Sequence, residues 1–89
     1  MEDRLYRQVI NKYGKIAQSI VAVEELSELQ KEITKYLRGS GSVDRIAEEV
    51  ADVEIILEQT KMIHGITDAQ LADWKKQKRH RLKMRLENE

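Results

Sequence analysis

Three observations predict an all-α fold. The 89-residue chain contains no proline, so no residue is barred from a helix interior. Apolar residues recur at spacings of three and four over most of its length, and nothing reads as a strand pair. Glycines at 14, 39, 41 and 65 divide it into four segments. The expected architecture is a helical bundle: two long antiparallel helices, a basic C-terminal helix and a short N-terminal helix, in one domain spanning residues 1–89. A chain this short buries a modest fraction of its surface, and without cysteine it has no disulfide to compensate. Oligomerisation is therefore expected to complete the core.

The first segment, roughly 2–13, carries Leu5, Val9 and Ile10 at helical spacing and reads as a short accessory helix. The second runs roughly 15–37, with Ile16, Ile20, Val23, Leu26, Leu29, Ile33 and Leu37 as its apolar positions. The stretch RGSGS (38–42) ends it: Gly39 suits the left-handed conformation after a helix, and Ser42 suits the cap of the next. The third segment, roughly 43–64, places Val43, Ile46, Val50, Val53 and Leu57 in the alternation of a packed seam, and Gly65 closes it. TDAQ (67–70) fits a capping box for a fourth helix that runs to about residue 86. The turn between the two long helices is short, so they are expected to pack antiparallel.

Lys plus Arg and Asp plus Glu each number 16, which gives formal net charge zero. The balance hides an asymmetry: KKQKRHRLKMR (75–85) is strongly basic, while the acids concentrate in the middle of the chain. The N-terminus is amphipathic rather than a signal sequence, and no apolar run is long enough to span a membrane. A cysteine-free chain fits a reducing cytoplasm, so a cytoplasmic protein with no membrane partner is expected.

The acids themselves are misplaced for a simple helix pair. EELSEL (24–29) and EEVADV (48–53) both read Glu-Glu-apolar-small-acid-apolar. Residues three apart on a helix share a face, about 5–6 Å apart at Cβ. Glu25 and Glu28 therefore point one way at the border of an apolar stripe, and Glu49 and Asp52 lie within one. Glu24 and Glu48 project elsewhere. Antiparallel packing lets the two pairs face each other. Four such carboxylates repel one another and resist desolvation, and a divalent cation reverses that balance. All-oxygen ligands suit Mg²⁺, with Mn²⁺ as the alternative. A single Glu-x-x-Glu usually marks a solvated face or a pairing with lysine; two matched pairs on adjacent helices favour a metal site. A di-iron bundle needs Glu-x-x-His, but His64 follows Lys61 by three and His80 follows Gln77, so that centre is excluded. No EF-hand loop, P-loop, zinc spacing or glycine-rich dinucleotide turn is present.

Glu24-Glu25-x-x-Glu28, a spacer of residues 29–48, then Glu49-x-x-Asp52 resembles the signature of the MazG-like all-α nucleoside triphosphate pyrophosphohydrolases. Gly14 and Gln18 ahead of EELSEL extend the likeness, which covers about residues 14–85. The resemblance implies Mg²⁺-dependent hydrolysis of a nucleoside triphosphate between its α and β phosphorus atoms, giving monophosphate and pyrophosphate, with a role in clearing unwanted nucleotides. It implies Glu25, Glu28, Glu49 and Asp52 as catalytic metal ligands. Bound Mg²⁺ would screen the triphosphate, polarise its phosphoryl oxygens and lower the pKa of the attacking water.

On the fourth helix Leu71, Trp74, Lys78 and Leu82 share a face, with Arg81 and Arg85 beside Lys78. The family commonly has a Lys-x-x-Arg-like stretch here, which assigns Lys78 and Arg81 to phosphate; the bland reading is a lysine snorkelling on a solvated helix. Trp74 reads either as a core anchor, the commoner role, or as a ring that stacks on a base. Gln18, one heptad before Glu25, is positioned to reach a base or a metal-bound water. The expected partners are a nucleoside triphosphate and further copies of the chain, as a dimer or tetramer. The rival readings are a non-catalytic helical oligomer that binds nucleic acid through the basic helix, and a silent structural bundle of the same fold. The first is disfavoured because unmetallated acid pairs repel phosphate.

Overall fold

A computed structural model describes residues 2–89. They form four helices and no strand: α1 (Glu2–Tyr13), α2 (Lys15–Leu37), α3 (Val43–His64) and α4 (Asp68–Glu87). The ends fall where local chemistry places them. Glu2 and Asp3 occupy the first turn of α1 and Lys12 its last, each complementing the helix dipole. After α2, Gly39 takes φ +88°, which a side chain would resist, and the chain doubles back so that Ser40 N donates to Lys35 O at 2.9 Å. Ser42 caps α3 by accepting from Arg45 N at 3.2 Å. Gly65 ends α3 in the left-handed conformation, and Ile66 N donates back to Lys61 O at 2.9 Å. The expected capping box is formed: Thr67 Oγ1 accepts from Gln70 N at 3.1 Å, and Gln70 Oε1 accepts from Thr67 N at 3.4 Å.

The principal packing is α2 on α3, with α1 laid against both. Gln18 of α2 meets Gln59 of α3, and Glu25, seven residues further along α2, meets Asp52, seven residues back along α3. The buried apolar side chains are Ile10, Val53 and Ile56. Gln18, Glu32 and Gln59 are buried with them, so among the described residues half of the buried side chains are polar.

The seam expected on α3 is displaced round the helix. Val53 is buried and Ile46 half-buried, but Val43, Val50 and Leu57 are exposed. The covered line instead runs through Asp52, Val53, Ile56 and Gln59. On α2, Ile16, Ile20, Val23, Leu26, Ile33 and Leu37 are likewise exposed. The apolar stripe on each long helix is wider than one neighbouring helix covers.

α4 packs against none of the other helices. It is joined to α3 by the turn and by Lys61, whose Nζ lies 2.8 Å from Asp68 Oδ1 and 3.3 Å from Glu58 Oε1. The Asp68 carboxyl is held below its ordinary value by hydrogen bonding to the Lys61 ammonium, and Lys61 is raised by the same bond. With α4 standing off, the radius of gyration is 16.2 Å; a compact chain of this length would have about 12 Å. Among the described residues no helix is long and apolar enough to cross a membrane.

Candidate metal centre

The α2–α3 contact brings acids together midway along both helices. Glu25, Glu49 and Asp52 each place a carboxylate oxygen so that all three lie within 4.8 Å of one another. All three side chains are half-buried, whereas Glu24 and Glu48 are exposed, as the helical projection requires. About 100° of rotation separates an acid that enters the contact from its neighbour that does not.

The fourth acid, Glu28, stands beside these three rather than among them. It is half-buried, and Lys31 Nζ lies 3.3 Å from its Oε1. The pair is open to solvent, with Lys31 exposed and Glu28 partly so, and such pairs contribute about 0–1 kcal/mol. Glu28 is thus free to exchange Lys31 for a better partner at little cost.

Burial and then mutual repulsion raise two of these carboxyls. Burial raises the Glu25 carboxyl above its ordinary value, and the charges of Asp52 and Glu49, a hydrogen bond with Asp52 and the charge of Glu28 add to it. Glu49 is raised by burial first, then by Asp52, Glu28, Glu48 and Glu32. Two groups that hold protons more tightly when folded weaken the fold as pH rises above their ordinary 4.5 and through their native values. Glu49 Oε2 is also buried with no hydrogen-bond partner. An unpaired buried carboxylate oxygen is costly, and a cation is the partner that would satisfy it without a donor hydrogen. The donors are all hard oxygens with no histidine or cysteine among them, which fits Mg²⁺ or Mn²⁺ rather than zinc or copper.

The remaining expected site residues are not gathered here by the fold of one chain. Gln18 is buried, and its Nε2 donates to Gln59 Oε1 at 2.8 Å, so its amide is engaged in joining α2 to α3. Trp74 is exposed on α4 and anchors no core in this chain. Lys78 Nζ lies over its ring, 6.0 Å from the centroid. Arg81 is exposed one turn on. Sequence reasoning passed over Glu32 and Gln59. A signal for both exists: Gln18, Glu25 and Glu32 are spaced by heptads on α2, as are Asp52 and Gln59 on α3, so each lies on the face that makes the contact.

Compared with protein-family models, with curated proteins and with solved structures, the chain matches none.

Proposed function

We propose that the protein is a MazG-like, Mg²⁺-dependent nucleoside triphosphate pyrophosphohydrolase, acting on a (d)NTP to give (d)NMP and pyrophosphate. The observation that carries this reading is the convergence of Glu25, Glu49 and Asp52, three acids of the double motif, on one place between two helices, with a buried oxygen of Glu49 left without a donor. Glu25, Glu49 and Asp52 would hold the cation, with Glu28 turning in from Lys31 as a fourth ligand. A cation held there would neutralise the triphosphate and activate the water whose oxygen bonds to phosphorus as the α–β bridging bond breaks. Lys78 and Arg81 would bind phosphate oxygens, and Trp74 would offer its ring to the base. Gln18 would then act by fixing α2 against α3 through Gln59.

The decisive experiment is pyrophosphate release from a panel of nucleoside triphosphates with and without Mg²⁺. Release that depends on the metal is expected; its absence across the panel would refute the activity.

The working form in this reading is a homo-oligomer, a dimer or tetramer, built on an antiparallel α2–α3 hairpin. Seventeen large hydrophobic side chains of the described residues are exposed against three buried, which a monomer in water does not sustain. α4 stands clear of the carboxylates, and a second copy would both cover the apolar faces and bring a basic helix to the nucleotide. Sedimentation at micromolar concentration should give a species of at least twice the chain mass. A folded monomer there would contradict the assembly.

A further inference from the structure

Charge is divided unevenly between α3 and α4. α3 carries six acids against two lysine or arginine residues, and α4 carries seven such bases against three acids. Among the described residues only one base of α4, Arg85, lies within ion-pair distance of an acid, and that acid is Glu89 at the same end. A helix turns by about 100° per residue, so Leu71, Lys75, Arg79, Leu82 and Leu86 fall within about 80° of one another, a row of three leucines and two bases. Leu82 and Leu86 are exposed, and α4 packs on no helix of its own chain. Trp74, Lys78 and Arg81 lie on the adjoining flank, outside this row.

The outer face of α3 is the counterpart of that row. Val43, Val50 and Leu57, spaced by heptads, are exposed along about 21 Å of helix, and the row from Leu71 to Leu86 runs about 22 Å. Towards its C-terminal half this face opens into a groove against α1, lined by Tyr6, Ala51, Glu54, Ile55, Leu57 and Glu58. The charges of the groove are two acids and no base. Lys61 lies 3.3 Å from Glu58, while Glu54 has no ion-pair partner among the described residues. A second apolar groove, on Ile16, Ile20, Val23 and Ile63, is edged by Lys15 and His64 and holds no acid, so a basic helix finds nothing to pair with there. The chain's own α4 is held away from the α1–α3 groove by its turn. Gly65 is left-handed, Ile66 N donates back to Lys61 O, the Thr67–Gln70 box starts α4, and Lys61 Nζ grips Asp68 Oδ1 at 2.8 Å.

We propose that the α1–α3 groove receives α4 of a second copy, so that two chains exchange their basic helices reciprocally. The leucines of the row cover the apolar face of α3, and Lys75 and Arg79 meet Glu54. Sign and shape select the same pair of surfaces: an apolar face edged by an unpaired acid, and an apolar row carrying unpaired bases. The exchange rests on the homo-oligomer reading above and names the surfaces that form it.

Glu54→Lys and the double change Lys75→Glu with Arg79→Glu test it, in the full chain at low salt. All three positions are exposed, so circular dichroism should show each variant folded as the parent is. In either variant alone, both contacts of the dimer set like charges together, and its dissociation constant should rise roughly tenfold or more. Mixing the two variants should restore association as a heterodimer, because one of its contacts is reversed in sign on both sides and the other is the parent's. Native mass spectrometry with one isotopically labelled chain reads that species directly. Failure of the mixture to recover overturns the exchange. So does recovery of thermal stability by a monomer carrying all three changes, which would place each α4 in its own groove. Variants that associate as tightly as the parent also overturn it, while leaving the homo-oligomer standing on another face. A monomeric parent overturns both.

Discussion

Replacing Glu49 by Gln, or Asp52 by Asn, is expected to abolish Mg²⁺-dependent pyrophosphate release while leaving the protein folded. Each change keeps the side chain's shape and removes one of three carboxylates whose oxygens converge within 4.8 Å. An amide is a much poorer ligand for a hard cation than a carboxylate, so the effect should exceed that of any other single change considered. Stability should move the other way. In the metal-free protein these acids repel one another, and Glu49 carries a buried oxygen without a donor. Either variant should therefore melt at the parent's temperature or slightly above it. The pH dependence follows with a definite sign. Glu25 and Glu49 titrate above their ordinary 4.5 in the folded chain. The metal-free protein thus loses stability as pH rises from about 4.5 through those native values, and the loss is complete above them. Glu49→Gln should flatten that fall in a series of melting curves. Mg²⁺ should reverse it in the parent, because cation and proton compete for the same oxygens. Full activity in both variants would remove the site.

Lys78→Ala should lower kcat/KM for the nucleotide by roughly 10- to 150-fold, which corresponds to one charge-assisted phosphate contact of about 1.5–3 kcal/mol. Lys75 and Lys83 occupy other faces of α4 and should matter far less when changed to alanine. The fold should survive all three, because α4 buries no side chain and packs on no other helix of the chain. The same isolation makes the experiment discriminating. A basic helix that projects from a small protein is also what a nucleic-acid reader presents. In that case the three lysines would contribute similar, salt-sensitive shares of duplex affinity, and binding would fall steeply with ionic strength. Equal small losses of duplex binding at 75, 78 and 83, with no hydrolysis by any of the proteins, would replace the enzyme reading with that one. Position 78 differs from its neighbours in one observed respect: its ammonium lies over the Trp74 ring. A cation held on an aromatic face is restrained in direction, so it loses less freedom when it meets a phosphate.

The elements and their ends were legible from residues alone. Gly39, Ser42, Gly65 and the Thr67–Gln70 box act within a few positions of chain, so each could be read without knowing what lay across from it. The same is true of which acids share a face: a helix turns by a fixed angle per residue, and that fixes Glu25 with Glu28, Glu49 with Asp52, and Glu24 and Glu48 outside. Contact between helices obeys no such local rule. Periodicity marked the apolar positions on α3, but only packing decided that Val53, Ile56 and Gln59 are covered while Val43, Val50 and Leu57 face outward. The stripe is broad, and one neighbour covers part of it. Packing likewise set Glu25, Glu49 and Asp52 within reach of one another, left Glu28 to Lys31, joined Gln18 to Gln59 and buried Glu32. Those outcomes depend on the axial register of two helices, which is the sum of many small contacts distributed over more than twenty residues of each. The stance of α4 is the clearest case. Its sequence determines a capped, basic helix, but a helix that buries nothing within its own chain takes its direction from a three-residue turn and one ion pair between Lys61 and Asp68.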